Sequence, residues 1–222
     1  MAIEPVEPPE PRKTGHRWID LVVAFAALAI SVMSIFVAQH TSHTMEKLVH
    51  ANSWPFLQLG SGNANDDRSP ELAFFAQNVG TGPARIHTFE IQFDGAPVRT
   101  DQNYLYAMVS ACCSDELRTA AERAGGDVIA AMGTDLTSQV SGRFVAPNDD
   151  IAAARWQRTE GNAEIWRALD SARQTGRITM TACYCSVFDE CWLAHSHEFP
   201  PRSVRSCSPE DVRRSRPAST AH

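Results

Sequence analysis

The sequence predicts one N-terminal transmembrane helix followed by a mainly β (α+β) exported domain, a sandwich carrying one or two short helices. Three observations predict it. Leu21 to Ala38 holds no charged residue, glycine or proline. Beyond it, short apolar and alternating runs are separated by glycine- and proline-rich turns, the spacing of a β-sandwich. All six cysteines lie after the apolar run, as an oxidising compartment allows.

Eighteen residues at helical rise span about 27 Å, close to the hydrocarbon thickness of a bilayer. The transmembrane helix is therefore assigned to 18–38. Arg12, Lys13 and Arg17 flank it on one side and only Lys47 on the other. That bias places the N-terminus in the cytoplasm and the domain outside. A cleaved signal peptide fits poorly, because cleavage after Ala38 puts Phe36 at the minus-three position, where a small residue belongs. Arginine far outnumbers lysine and alanine is abundant, which points to a high-GC bacterium and hence to its inner membrane. Within the helix Ala24, Ala27, Ser31, Ser34 and Ala38 recur at spacings of three and four. Small residues let helix backbones approach in lipid, so this stripe is the expected face of a homodimer.

Residues 1–17, rich in proline and glutamate, read as a disordered cytoplasmic tail. Residues 39–52 lack glycine and proline and continue the helix beyond the bilayer until Trp54-Pro55 ends it. The exported domain is 53–198. Its expected strands are 54–59, 72–77, 85–93, 151–156, 177–187 and 191–197, with weaker ones at 128–132 and 139–145. Residues 60–70 read as a loop, and Asp94-Gly95 as a hairpin turn. Helices are expected at 115–124, with Ser114 as a cap, and at 163–173, with Asn162 as a cap. Residues 199–222, rich in serine, arginine and proline, read as a disordered basic tail.

Asn78, Gly80, Gly82, Pro83 and Ala84 spell N-x-G-x-G-P-A after an anchor. This segment resembles one found in uncharacterised bacterial single-pass membrane proteins. That resemblance implies an immunoglobulin-like β domain. It implies no activity and does not extend to residues 100–175.

From Ser53 to Glu198 nineteen acidic and eleven basic side chains leave a net charge of −8. A nucleic-acid partner wants a basic face, so none is expected. The cysteines are Cys112, Cys113, Cys183, Cys185, Cys191 and Cys207. Adjacent Cys112 and Cys113 have Cα atoms too close for an ordinary disulfide, and Cys183 and Cys185 project in parallel from a strand. The expectation is that Cys112 or Cys113 bonds to one of Cys183, Cys185 and Cys191.

Cys183, Cys185, Cys191, His195 and His197 form the richest constellation. C-x-C and H-x-H on a hairpin each offer two ligands on one face, a zinc-type set. The spacing matches no common zinc module, and structural cross-linking is the simpler account. Ser186, Asp189 and His195 have the residue types of a hydrolase triad without a nucleophile elbow. His40, His43 and His50 are solvated helix positions. No catalytic residue, metal or cofactor is therefore assigned. The sequence points to a membrane-anchored, disulfide-stabilised domain for an unknown protein partner. A metal enzyme using the Cys/His hairpin and a sensor of small envelope ligands are the alternatives.

Overall fold

A computed structural model describes residues 17–98 and 103–215. The expected N-terminal tail, apart from Arg17, lies outside the described residues. The chain divides into two compact units, Met1–Val49 and His50–His222.

Helix α1 runs over Arg17–Asn52, and its stretch Trp18–Asn52 is long and apolar enough to cross a membrane. Its apolar side chains stand exposed all round, among them Phe25, Leu28, Val32 and Phe36. Ser31 and Ser34 donate their hydroxyls to the carbonyls of Ala27 and Ile30, both at 2.8 Å. The polar atoms in the apolar run are thus satisfied within the helix, as a bilayer demands.

The second unit is mainly β, built of antiparallel sheets with short helices. Its first sheet has the order β1-β2-β7-β5, with β1 Leu57–Ala64, β2 Pro70–Asn78, β5 Asp135–Thr137 and β7 Asp150–Gln157. The second has the order β10-β9-β8-β3-β4, with β6 also on β3. Its strands are β3 Ala84–Phe93, β4 Ala96–Pro97, β6 Phe144–Val145, β8 Ile178–Cys185, β9 Cys191–His195 and β10 Glu198–Val204.

One core joins the sheets: Leu57, Leu72 and Phe74 from the first, Ile86, Ile91 and Tyr184 from the second. A bulge between Ile86 and Thr88 shifts the phase of β3. That shift lets Ile86 face the same core as Phe89 and Ile91, although strict alternation separates them. At the β3–β4 turn Asp94 and Gly95 have φ of 49° and 77°, and Arg177 grips Asp94 through two bonds of 2.9 and 2.6 Å. The guanidinium holds the Asp94 carboxyl below its ordinary range.

Several expectations need correction. The domain has more than two helices: α2 Tyr104–Cys112, α3 Ser114–Arg123, α4 Val128–Met132, α5 Ala163–Gln174 and α6 Pro209–Ser215. Residues 128–132 are helical because the Asp127 carboxylate accepts from the amides of Ile129 and Ala130, an N-cap. Asn162 starts α5 without capping it. Its side chain instead accepts from the Thr159 amide and donates to the carbonyls of Met132 and Gln157. Strand β1 runs through the expected loop as far as Ala64, and only Phe144 and Val145 of 139–145 form a strand.

Residues 199–215 are ordered as well, in β10 and α6. Ser208 accepts from the Asp211 amide at 3.2 Å, closing the first turn of α6, and Val212 is buried. Residues 216–222 lie outside the described residues.

Candidate interaction surface

The turn Asn78 to Pro83 is a clasp. Asn78 is fully buried, and all its side-chain polar atoms are engaged. Its amide donates to the carbonyls of Gly82 and Val145 at 2.8 and 3.0 Å. Its oxygen accepts from the amides of Phe56 and Gly80 at 3.1 and 3.0 Å. The segment gripped is the last turn of α1 and the residues that follow it. Thr81 donates its hydroxyl to Ala51 O at 2.8 Å, and the amides of Thr81 and Gly82 donate to Trp54 O. A Cβ on Gly80 or Gly82 falls 2.3 Å from Phe56 N or 2.1 Å from Ser53 O. Only glycine lets the two backbones come so close.

The Cys/His hairpin is a covalent seal. On the outer face of β8 and β9, Cys185 bonds Cys191 directly across the ladder, and Cys183 bonds Cys207 beyond β10. Cys183, Cys185, Cys191, Leu193, Val204 and Val212 make a second small core beneath α6. Cys185 Sγ stands 3.7 Å from Cys207 Sγ.

Among the described residues the one group of three or more His, Cys, Asp or Glu side chains close enough to share an ion is Cys185, Cys191 and Cys207. It includes neither His195 nor His197. His195 Nδ1 shares a hydrogen bond with Thr181 Oγ1 at 3.0 Å, and His197 is exposed. Ser186 binds the amides of Phe188 and Glu190, and Asp189 pairs with Arg85. Ser186 and Asp189 are thus engaged at the β8–β9 turn, and His195 across the ladder between those strands.

The expected link from Cys112 or Cys113 to the late hairpin is not formed. The two bond each other. Cys113 lies between α2 and α3 with φ −140° and ψ 39°, a break in the helical path.

Around the clasp lies an apolar surface that the sequence reading missed. Phe199 is 72% exposed, and Trp54, Val79, Val187 and Phe188 are each more than 40% exposed. The ring centroids of Trp54 and Phe56 are 5.9 Å apart, and those of Phe56 and Phe199 5.3 Å. Nearby, Phe188 stacks on His50 at 4.7 Å. Each element contributes one or two of these residues, so no run in the sequence announces them.

The surface continues into a cleft of about 360 Å³ between β1 and the β9–β10 hairpin, with Leu57, Leu59, Phe199 and Pro201 in its walls beside polar Gln58, His197 and Glu198. Tyr184 is buried in the core with its hydroxyl bonded to the Leu57 backbone, and burial pushes its phenol up to about 12. No protein-family model, curated protein or solved structure matches this chain.

Proposed function

We propose that this chain is a single-pass bacterial inner-membrane protein that presents an immunoglobulin-like domain in the periplasm for contact with a protein partner. The observation that carries the reading is the exposed aromatic surface at Trp54, Phe188 and Phe199. Aromatic residues of this kind anchor protein interfaces.

The immunoglobulin-like assignment is supported by strand order. The first sheet runs β1-β2-β7-β5 and the second contains β9-β8-β3, the arrangement of ABED and CFG strands in a constant-type sandwich. The chain departs from antibody domains in having no disulfide between its sheets. Export is supported by three disulfides and by the flanking cations of α1. A reporter enzyme fused after Leu59 and active only in the periplasm agrees with that orientation; one active only in the cytoplasm reverses it.

The partner is tested by placing a photo-crosslinking residue at Trp54, Phe188 or Phe199 of the full chain in cells, with Glu116 and Glu122 as controls. Discrete adducts at the first three positions alone are expected. Adducts at none of the three, or equally at the controls, contradict the reading. Self-association along Ala24, Ala27, Ser31, Ser34 and Ala38 belongs to the same proposal. Ala27→Leu with Ser31→Leu lowers it in a membrane assay, while Leu28→Ala with Val32→Ala leaves it. Equal behaviour of the two pairs removes it.

A further inference from the structure

Sheet edges carry unpaired amide and carbonyl groups, and proteins blunt them with short strands, proline or charge. Most edges of this domain follow that rule. Strands β4 and β6 have two residues each and β5 has three. Edge strand β10 contains Pro200, Pro201 and Arg202. Strand β1 does not follow it. Its eight residues, Leu-Gln-Leu-Gly-Ser-Gly-Asn-Ala, hold no proline and no charge, and they end the order of their sheet.

The phase of the ladder says which groups are free. The Val79 amide donates to Phe56 O at 2.9 Å, so Gln58, Gly60 and Gly62 bond across to β2 at Gln77, Phe75 and Ala73. The residues between them turn their amides and carbonyls outward. Tyr184 meets the Leu57 backbone; among the described residues Leu59 and Ser61 have no strand beside them.

The second sheet extends past this edge. Beyond β9, which packs over β1, it adds β10. Phe199 and Pro201 thus overhang the place where one more strand of the first sheet belongs, and the cleft is the gap between. From this juxtaposition of a free edge and an overhanging wall of mixed polarity, Phe199 and Pro201 beside Ser196, His197 and Glu198, we infer that the domain binds an extended peptide segment of its partner as an added strand on β1, with alternate side chains seated in the cleft and an apolar one against Phe199 and Pro201.

The inference rests on the reading of the domain as a protein-binding module and gives the partner a chemistry. Backbone pairing supplies affinity and alternate side chains supply specificity in this mode. A second copy is a poor occupant. Its own β1 lies beneath its own β9–β10 hairpin, so two edges meet hairpin first.

The test uses the full chain in detergent micelles and a labelled peptide, Lys-Val-Thr-Val-Thr-Val-Thr-Lys, read by fluorescence anisotropy. A control peptide carries N-methyl groups on every internal residue and can pair through neither edge. Saturable binding of the first peptide is expected, with the methylated one at least about tenfold weaker, the equivalent of one to two lost hydrogen bonds. Ser61→Pro removes an outward amide while leaving the ladder to β2, and it lowers affinity by about the same factor. Phe199→Ser, on the opposite wall and off that ladder, lowers it too, so the result does not depend on the proline variant folding.

No binding by the wild type, equal binding of the methylated peptide, or indifference to Phe199→Ser overturns strand addition. A wild-type dimer that Ser61→Pro converts to monomer, with no peptide bound, assigns the edge to a second copy and also overturns it. In either case crosslinks at Trp54 and Phe188 persist if the module reading holds, and vanish only if that reading fails as well.

Discussion

Two boundaries of the domain are finished in opposite ways. On the outer face of β8 and β9, two disulfides, Val204, Val212 and helix α6 cover the strands. On the edge of the first sheet, β1 buries Leu57 and Leu59 in the core but leaves the outward backbone groups of Leu59 and Ser61 without a paired strand among the described residues. Both stretches are only a few residues long, and each could have been finished like the other. Cross-links and a C-terminal helix went to one, and neither went to the other. A boundary left open in a domain so closely fastened elsewhere is the place where we propose that a partner strand adds.

The difference has energetic consequences that can be measured. The largest effect is expected where β1 meets the clasp. Asn78→Ala strands the amides of Phe56 and Gly80 and the carbonyls of Gly82 and Val145. Destabilisation of roughly 3–5 kcal/mol in denaturant titration is expected. A loss below about 1 kcal/mol shows that the clasp does not hold the start of β1.

Next comes the sealed face. Cys207→Ser opens a covalent loop with a sequence separation of 24 and is expected to cost about 3 kcal/mol. It should also raise proteolysis within 205–215. Unchanged melting and unchanged cleavage contradict a seal there.

A similar magnitude is reached by pH at the buried phenol bonded to the Leu57 backbone. The Tyr184 phenol is raised from 10.0 to about 12 in the folded state, so the native protein keeps that proton where the unfolded chain loses it. The stability this contributes is complete below the unfolded value and disappears as pH rises through about 12. Tyr184→Phe should remove that part of the alkaline loss, about 2–3 kcal/mol. It should also free the Leu57 backbone, so the neutral-pH stability of the variant is the internal control. An alkaline profile identical to wild type refutes the burial argument.

The smallest effect belongs to the open boundary. Ser61→Lys, at a half-buried position opposite Phe74, should cost no more than about 1 kcal/mol while abolishing peptide addition, since charge is how edges are blunted. A large destabilisation instead means that β1 is already covered.

Much of this organisation was legible in the sequence, and the rest was hidden for identifiable reasons. The long apolar helix, β2, β3, β7, β8 and α5 follow from periodicity and turn residues that act locally. The N-x-G-x-G-P segment was visible as a turn. Its role was not, because the close approach of Ser53 and Trp54 depends on tertiary packing. The start of α6 was written in Ser208-Pro209-Glu210-Asp211, a capping pattern with proline at the first helical position, but the surrounding serine and arginine content masked it. Helix α4 was missed because Val128 and Ile129 favour strands locally, whereas Asp127 acts as a cap. The cysteine pairing escaped spacing arguments because Cys207 reaches back only once β10 and α6 exist. The aromatic surface is assembled from separate elements and has no signature in one dimension.

Amide hydrogen exchange under native conditions tests the central claim most directly. If β1 is an open edge, the outward amides of Leu59 and Ser61 exchange by local fluctuation, much faster than those of Gln58 and Gly60, which bond to β2. Added strand peptide should then slow the first pair and leave the second unchanged. Equal protection of all four amides in the free protein would contradict the account, because it would mean that something already covers the edge.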